Sequence, residues 1–286
     1  MQELLQKDEQ AAAEPSLVIT AKESFFCFVH RNASDLISFR FAILSFVYNT
    51  LRRRYRRSFF GFAWSLLNPL LTMLVMTVVF SLLFRVDPHK YGIYIFTGSL
   101  PWSFIIDSVN GGCESIIAAE GFHKKVFLPK MFFPFVTVCT ETINFVFSLI
   151  SLLILFLLIG MPLNPTMFFL PVAVLLLSTF NLGMALMCAV WTVYFRDFAH
   201  IAKVLLGIFF YLTPIIYPLS ALPEHYREYF KLNPVYHFVN LFRLLVVDGR
   251  SPSYVEWSIP AILALSVAAF GFLILRSKER DLIYRL

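Results

Sequence analysis

The chain has 286 residues, 58% of them hydrophobic and only 15% charged, with a mean hydropathy of +0.72 and 33 phenylalanines. Soluble domains carry about a quarter charged residues, so this composition excludes an ordinary water-soluble protein and leaves length for several lipid-crossing helices of about 20 residues each. The formal charge of +6 does not point to nucleic acid, because the basic residues flank apolar runs rather than forming a solvated face; membrane lipids are the expected surroundings. Cys27, Cys113, Cys139 and Cys188 form no CxxC pair, so neither a disulfide framework nor a metal site is expected.

Residues 1–34 open polar and mixed in charge, without an apolar core or cleavage signature early on, and read as a cytosolic tail rather than a signal peptide. From Asp35 the sequence DLISFRFAILSFVYNT is apolar but too short to span, and Arg40 interrupts it. It leads into Arg52, Arg53, Arg54, Tyr55, Arg56 and Arg57, so residues 35–57 are predicted to form an amphipathic helix in the inner interface. Guanidiniums are costly in hydrocarbon, and the arginine cluster therefore marks a membrane surface.

Six spans are predicted, over about 66–84, 91–110, 131–159, 167–194, 201–219 and 257–275. The second ends at Gly111-Gly112, and the fifth carries Pro214 and Pro218. Eighteen of the 24 lysines and arginines then fall on the side of both termini, which the positive-inside rule assigns to the cytoplasm. Residues 221–254 are too polar to span and too apolar for a free loop; two short amphipathic helices in or dipping into the outer leaflet are expected. The expected fold is an all-α polytopic membrane protein.

No GxxxxGK[ST], HExxH or GxSxG motif occurs, so no energy source or catalytic site is expected in the chain itself. Glu141, in TVCTETINFVF, is the only carboxylate deep in a long span. It is either a functional group or a protonated or hydrogen-bonded packing residue. Asp107 is read as lying at a span boundary. The cytosolic loop 113–130 (with Glu114, Ile116, Ile117, Glu120, Gly121, His123, Lys124 and Lys125) places two isoleucines in otherwise watery surroundings, which suggests a protein partner.

Three segments carry a resemblance. RYRRSFFGFAWSLLNP places Tyr55, Arg56, Ser58, Gly61, Trp64 and Pro69 at the spacing found in ABC-2 type permeases that export lipid-linked polysaccharides. GFHKKVFLPKMFFP is similar to the loop by which that family docks on its ATPase, and VYFRDFAHIAKVLLGIFFYLTPIIYPLSALPE leading to KLNPVYHFVNLFR is the third match. Together they cover residues 50–250, and the SLLNP form looks closer to O-antigen and teichoic-acid permeases than to capsule ones.

The resemblance implies an inner-membrane, non-enzymatic transport subunit working as two copies with two ABC ATPase subunits, on which ATP and Mg would be bound, this chain binding no cofactor. It implies a polyprenyl-diphosphate-linked polysaccharide cargo, with Arg52, Arg53, Arg54, Tyr55, Arg56, Arg57, Ser58, Gly61 and Trp64 at the entry. Tyr48, Trp102, Glu141 and Trp191 are candidate channel-lining residues, since sugar rings stack on aromatic faces. The loop from Glu114 to Lys125 would pass on ATP-driven motion. Two other readings remain: a permease of this fold for a drug or another lipid, and a membrane-embedded enzyme acting on polyprenyl phosphates, which requires a paired acid, a metal set or a nucleophile near the interface.

Overall fold

The computed structural model describes residues 25–55, 63–123, 128–160 and 163–285. All regular structure among them is helical: α1 (Phe25–Ser38), α2 (Arg40–Tyr55), α3 (Trp64–Phe84), α4 (Pro88–Ala118), a helical turn at Glu120–His123, α5 (Phe132–Ile159), α6 (Leu170–Tyr194), α7 (Phe198–Leu212), α8 (Glu224–Lys231), α9 (Pro234–Val246) and α10 (Tyr254–Arg285). Short 3-10 turns precede α6 and α8. Among the described residues, three segments are long and apolar enough to cross a bilayer, Phe132–Leu158, Pro165–Tyr194 and Tyr254–Glu279. Leu70–Leu83 and Phe198–Leu212 are shorter apolar helices.

Helix α4 is the hub, packing against α3, α5, α6, α7 and α9. It is expected to stop at Gly111-Gly112 but continues to Ala118. These glycines serve packing, not chain reversal: a Cβ on Gly112 would come within 2.7 Å of the Ala185 Cα on α6. The same device joins α6 to α10, where a Cβ on Gly271 would meet the Gly183 carbonyl oxygen at 2.6 Å. Bare backbone lets α6 and α10 approach closely, which is how helices associate where lipid competes equally for apolar side chains.

Two other expectations change. The fifth apolar segment, expected over 201–219, is helical only to Leu212; Thr213 is extended (φ −104, ψ 128). The ring of Pro214 clashes with a helical conformation at the residue before it, so the helix ends there. Of the two outer amphipathic helices, α8 is largely exposed, but α9 is buried from Phe238 to Val246 except Asn240, with Phe242 edge-on to Phe145 and Phe238 against Phe180. It enters the protein interior instead of resting in lipid, because apolar residues cover most of its circumference.

Upstream of the predicted interface helix, α1 is already helical from Phe25. Its Phe28 is 1% exposed beside Leu275 and Leu282 of α10, and Arg31 pairs with Glu279 at 3.2 Å.

Candidate functional site

Helix α2 lies against the first turns of α5. Ile43 and Val47 are buried there, and Phe46 meets Phe132 and Phe133 edge-on at 5.5 and 5.7 Å. Arg54 lies eight residues beyond Phe46, and Glu141 eight beyond Phe133, so the two helices run in the same direction in matching register. The arginine is thereby carried along α5, not across it, to a carboxylate well inside that helix.

There Arg54 grips Glu141 with two prongs, Nη2 to Oε1 at 2.8 Å and Nη1 to Oε2 at 3.3 Å. Asn144 Nδ2 donates to Oε2 at 2.9 Å. The Arg54 side chain is 45% exposed and that of Glu141 8% exposed, so one partner reaches water while the other is held in the bundle. The default choice between functional and packing carboxylate is sharpened: Glu141 is ionically paired to the arginine cluster.

The pair sits on a cavity of about 590 Å³. Its polar lining comes from four helices: Arg54 on α2, Asn68 and Thr72 on α3, Ser99, Ser103 and Asp107 on α4, and Glu141, Asn144 and Ser148 on α5. On α4 these residues recur every fourth position, making a hydrophilic stripe roughly 12 Å long at 1.5 Å per residue. The stripe was legible as Ser-x-x-x-Ser-x-x-x-Asp, yet Asp107 is read from sequence as a boundary residue. It faces the cavity with Glu141, so the structure does bring two acids together. Such a groove offers hydroxyl, amide and carboxylate partners to a polyhydroxylated chain.

Of the predicted entry residues, Arg54 and Trp64 line this cavity, and Arg52 and Arg53 are exposed on the last turn of α2. Tyr55 ends that helix, while Arg56, Arg57, Ser58 and Gly61 lie outside the described residues. Among the channel candidates, only Glu141 lines the cavity. Trp102 is 3% exposed and packs on Phe210 at 5.9 Å, so it is a core residue; its position on α4 faces α7. Tyr48 and Trp191 are 62% and 46% exposed, away from this groove.

The docking candidates divide in the same way. Because α4 runs through Gly111-Gly112, Ile116 lies on a packed helix and is fully buried with Phe28, Met131 and Leu186; it is not an isoleucine facing water. Glu114 is exposed and lies 3.8 Å from Lys203, Ile117 is half-buried, and Gly121 is exposed with nothing near its Cβ direction. Glu120 and His123 bound the helical turn; Lys124 and Lys125 lie outside the described residues.

A buried cation on α9 was not anticipated as a structural centre. Arg243 on α9 is 7% exposed, and sequence reading counts it only as an outer-side charge. It adjoins a 200 Å³ cavity with Tyr94, Tyr236, Asn240 and Asp248.

A family model described as ABC-2 type transporter matches residues 42–247. The chain is 34% identical over 224 residues to an O-antigen export system permease protein, RfbA, of Myxococcus xanthus, covering 78% of this chain and 86% of that one. It is 27% identical over 200 residues to the Klebsiella pneumoniae protein of the same description, covering 70% and 77%. To the polysialic acid transport protein KpsM of Escherichia coli it is 24% identical over 245 residues, covering 82% and 92%. With the match to residues 42–247 and the 34% identity to the Myxococcus xanthus permease, the chain belongs to the ABC-2 type transporter family.

Proposed function

We propose that this chain is the permease subunit of an ATP-driven exporter that moves a polyprenyl-diphosphate-linked polysaccharide, of O-antigen or teichoic-acid type, across the bacterial inner membrane. Two copies form the pathway, each served by an ABC ATPase subunit that binds ATP and Mg. Both termini lie in the cytoplasm, and α3, α4, α5, α6, α7 and α10 provide six spans, the shorter α7 being completed by the irregular segment after Leu212.

The observation that carries this reading is the juxtaposition of Arg54 with the polar stripe Ser99–Ser103–Asp107 in one groove. Guanidiniums suit a diphosphate because they donate paired, charge-assisted hydrogen bonds. The groove above them suits the attached glycan. The names of the similar proteins, two O-antigen permeases and a polysialic acid transporter, agree with a glycan cargo. The exposed surface around Glu114, Ile117 and Gly121 is the proposed ATPase contact, with Ile116 supporting it from inside.

Co-expression with the ABC ATPase encoded nearest the gene tests this. Co-purification and ATP-dependent movement of a lipid-linked glycan into the lumen of inverted vesicles are the expected results. Failure to retain any ATPase sinks the reading.

The pairing of Asp107 with Glu141 in one cavity favours one other reading, an enzyme acting on polyprenyl phosphates. Against it, Glu141 is engaged by Arg54 and Asn144, which suits an electrostatic role better than that of a free base. Release of phosphate from polyprenyl diphosphate by the purified chain would favour the enzyme.

A further inference from the structure

We propose that Arg54 and Glu141 form a latch that a diphosphate opens by competition: the guanidinium alternates between the Glu141 carboxylate and the diphosphate of the incoming lipid. This deepens the entry-site reading above and rests on it.

The two partners are unequal in the way such an exchange requires. Arg54 is 45% exposed at the end of α2, whereas Glu141 is 8% exposed in α5, where Asn144 steadies it at 2.9 Å. The arginine side chain is therefore the movable partner. Its paired contacts at 2.8 and 3.3 Å present a carboxylate with the same two-pronged donor geometry that two phosphoryl oxygens accept. A carboxylate carries one negative charge. A diphosphate carries more and offers more acceptors, so it displaces Glu141 where a monophosphate competes less well.

The carboxylates also supply the return stroke. With Arg54 drawn away, Glu141 is left buried without its cation, beside Asp107 in the same cavity. An unpaired buried charge is strongly disfavoured, so the empty groove recaptures the arginine. Arginines alone would hold a diphosphate tightly; an internal competitor limits its residence. Transport requires that release, and Glu141 is thus assigned as the residue that sets how long the headgroup stays and how well diphosphate is told from monophosphate.

The test is equilibrium binding of farnesyl diphosphate, farnesyl monophosphate and inorganic diphosphate to the full chain in nanodiscs. Glu141→Gln leaves a neutral isostere and is expected to tighten farnesyl diphosphate binding about tenfold, between the worth of an exposed ion pair and that of a fully buried one. Inorganic diphosphate should gain similarly from a weaker starting point, because the prenyl chain adds lipid-phase affinity; farnesyl monophosphate should gain little. Adding Arg54→Gln to Glu141→Gln should erase the gain. Glu141→Asp, which keeps the charge but withdraws it by one methylene, should give an intermediate gain, and it serves where the glutamine variant does not fold.

Wild-type binding of diphosphate with no tightening in either Glu141 variant overturns the latch while leaving the entry site standing. A gain that persists without Arg54 also overturns it. Absence of diphosphate binding in the wild type and both Glu141 variants overturns the entry-site reading itself, and the latch with it.

Discussion

Arg243 donates from Nη1 to the Pro214 carbonyl at 2.6 Å, and from Nη2 to the Ile215 carbonyl at 2.7 Å, with its guanidinium 3.7 Å from the Tyr94 ring centroid. The break after α7 frees carbonyls from helical pairing, and α9 returns a buried cation to accept that role as donor. Tyr91 reinforces the segment by donating to the Ile216 carbonyl at 2.6 Å. Replacing Arg243 by Met keeps the apolar stem but orphans both carbonyls, at a cost of about 1–3 kcal/mol each. Thermal denaturation in detergent should show a clear fall in the midpoint. Arg243→Lys should recover only part of it, since an ammonium lacks the planar fork that reaches two adjacent carbonyls. A Met variant as stable as wild type contradicts the assignment.

The Gly183–Gly271 crossing gives a packing prediction. Either Gly183→Leu or Gly271→Leu pushes a side chain into the backbone of the facing helix, and no rotamer change relieves it. Overpacking typically costs about 1–3 kcal/mol and more where backbone is the obstacle. Folded yield, measured by size-exclusion chromatography, should collapse. Gly207→Ala on α7, where nothing lies within 4 Å of the added carbon, should be neutral or slightly stabilising in the same assay. Equal behaviour of all three variants refutes the close-approach argument.

These cases mark what is legible in the chain. The apolar runs at α5, α6 and α10 announce themselves because lipid rewards uninterrupted hydrophobicity. Helix α4 was recognisable as a largely apolar helix but not for its full length, since glycines that let helices touch look locally like glycines that end them. The arginine cluster and Glu141 each stood out as residues expensive to place near lipid. Their pairing did not, because 87 positions separate Arg54 from Glu141 and the register is set by tertiary packing, Ile43, Phe46 and Val47 of α2 against Phe132 and Phe133 of α5. Trp102 and Ile116 show the reverse error: a side chain suited to sugar stacking or partner docking is equally suited to a core, and burial decides.

Adjacent isoleucines on α4 separate docking from folding. Ile116→Asp buries a carboxylate in an apolar cluster and should unfold the end of the bundle where α1, α4, α6 and α10 meet. Ile117→Asp, at a half-buried position, should leave the permease monodisperse while reducing co-purification of the ATPase. Full ATPase recovery with Ile117→Asp removes this surface from the contact.

The arginines make a graded series. Arg52 and Arg53 are exposed, whereas Arg54 enters the groove. Single glutamine substitutions at Arg52 or Arg53 should lower export modestly, as lost steering of an anion that salt also screens. Arg54→Gln should lower it much further, with ATPase co-purification retained in all three. Equal, small losses would deny Arg54 a special position.

Ser103 tests the groove itself. It stands between Ser99 and Asp107 on the polar stripe, at an exposed position lining the 590 Å³ cavity. Ser103→Phe adds bulk into open space, so neither stability nor ATPase co-purification should fall. The ring narrows the passage and replaces a hydroxyl that a sugar can use, so glycan export should drop at least about tenfold, equivalent to roughly 1.4 kcal/mol in the limiting barrier. Ser103→Thr retains the hydroxyl with little added volume and should export nearly normally. A phenylalanine variant that exports at the wild-type rate places the glycan path elsewhere in the molecule.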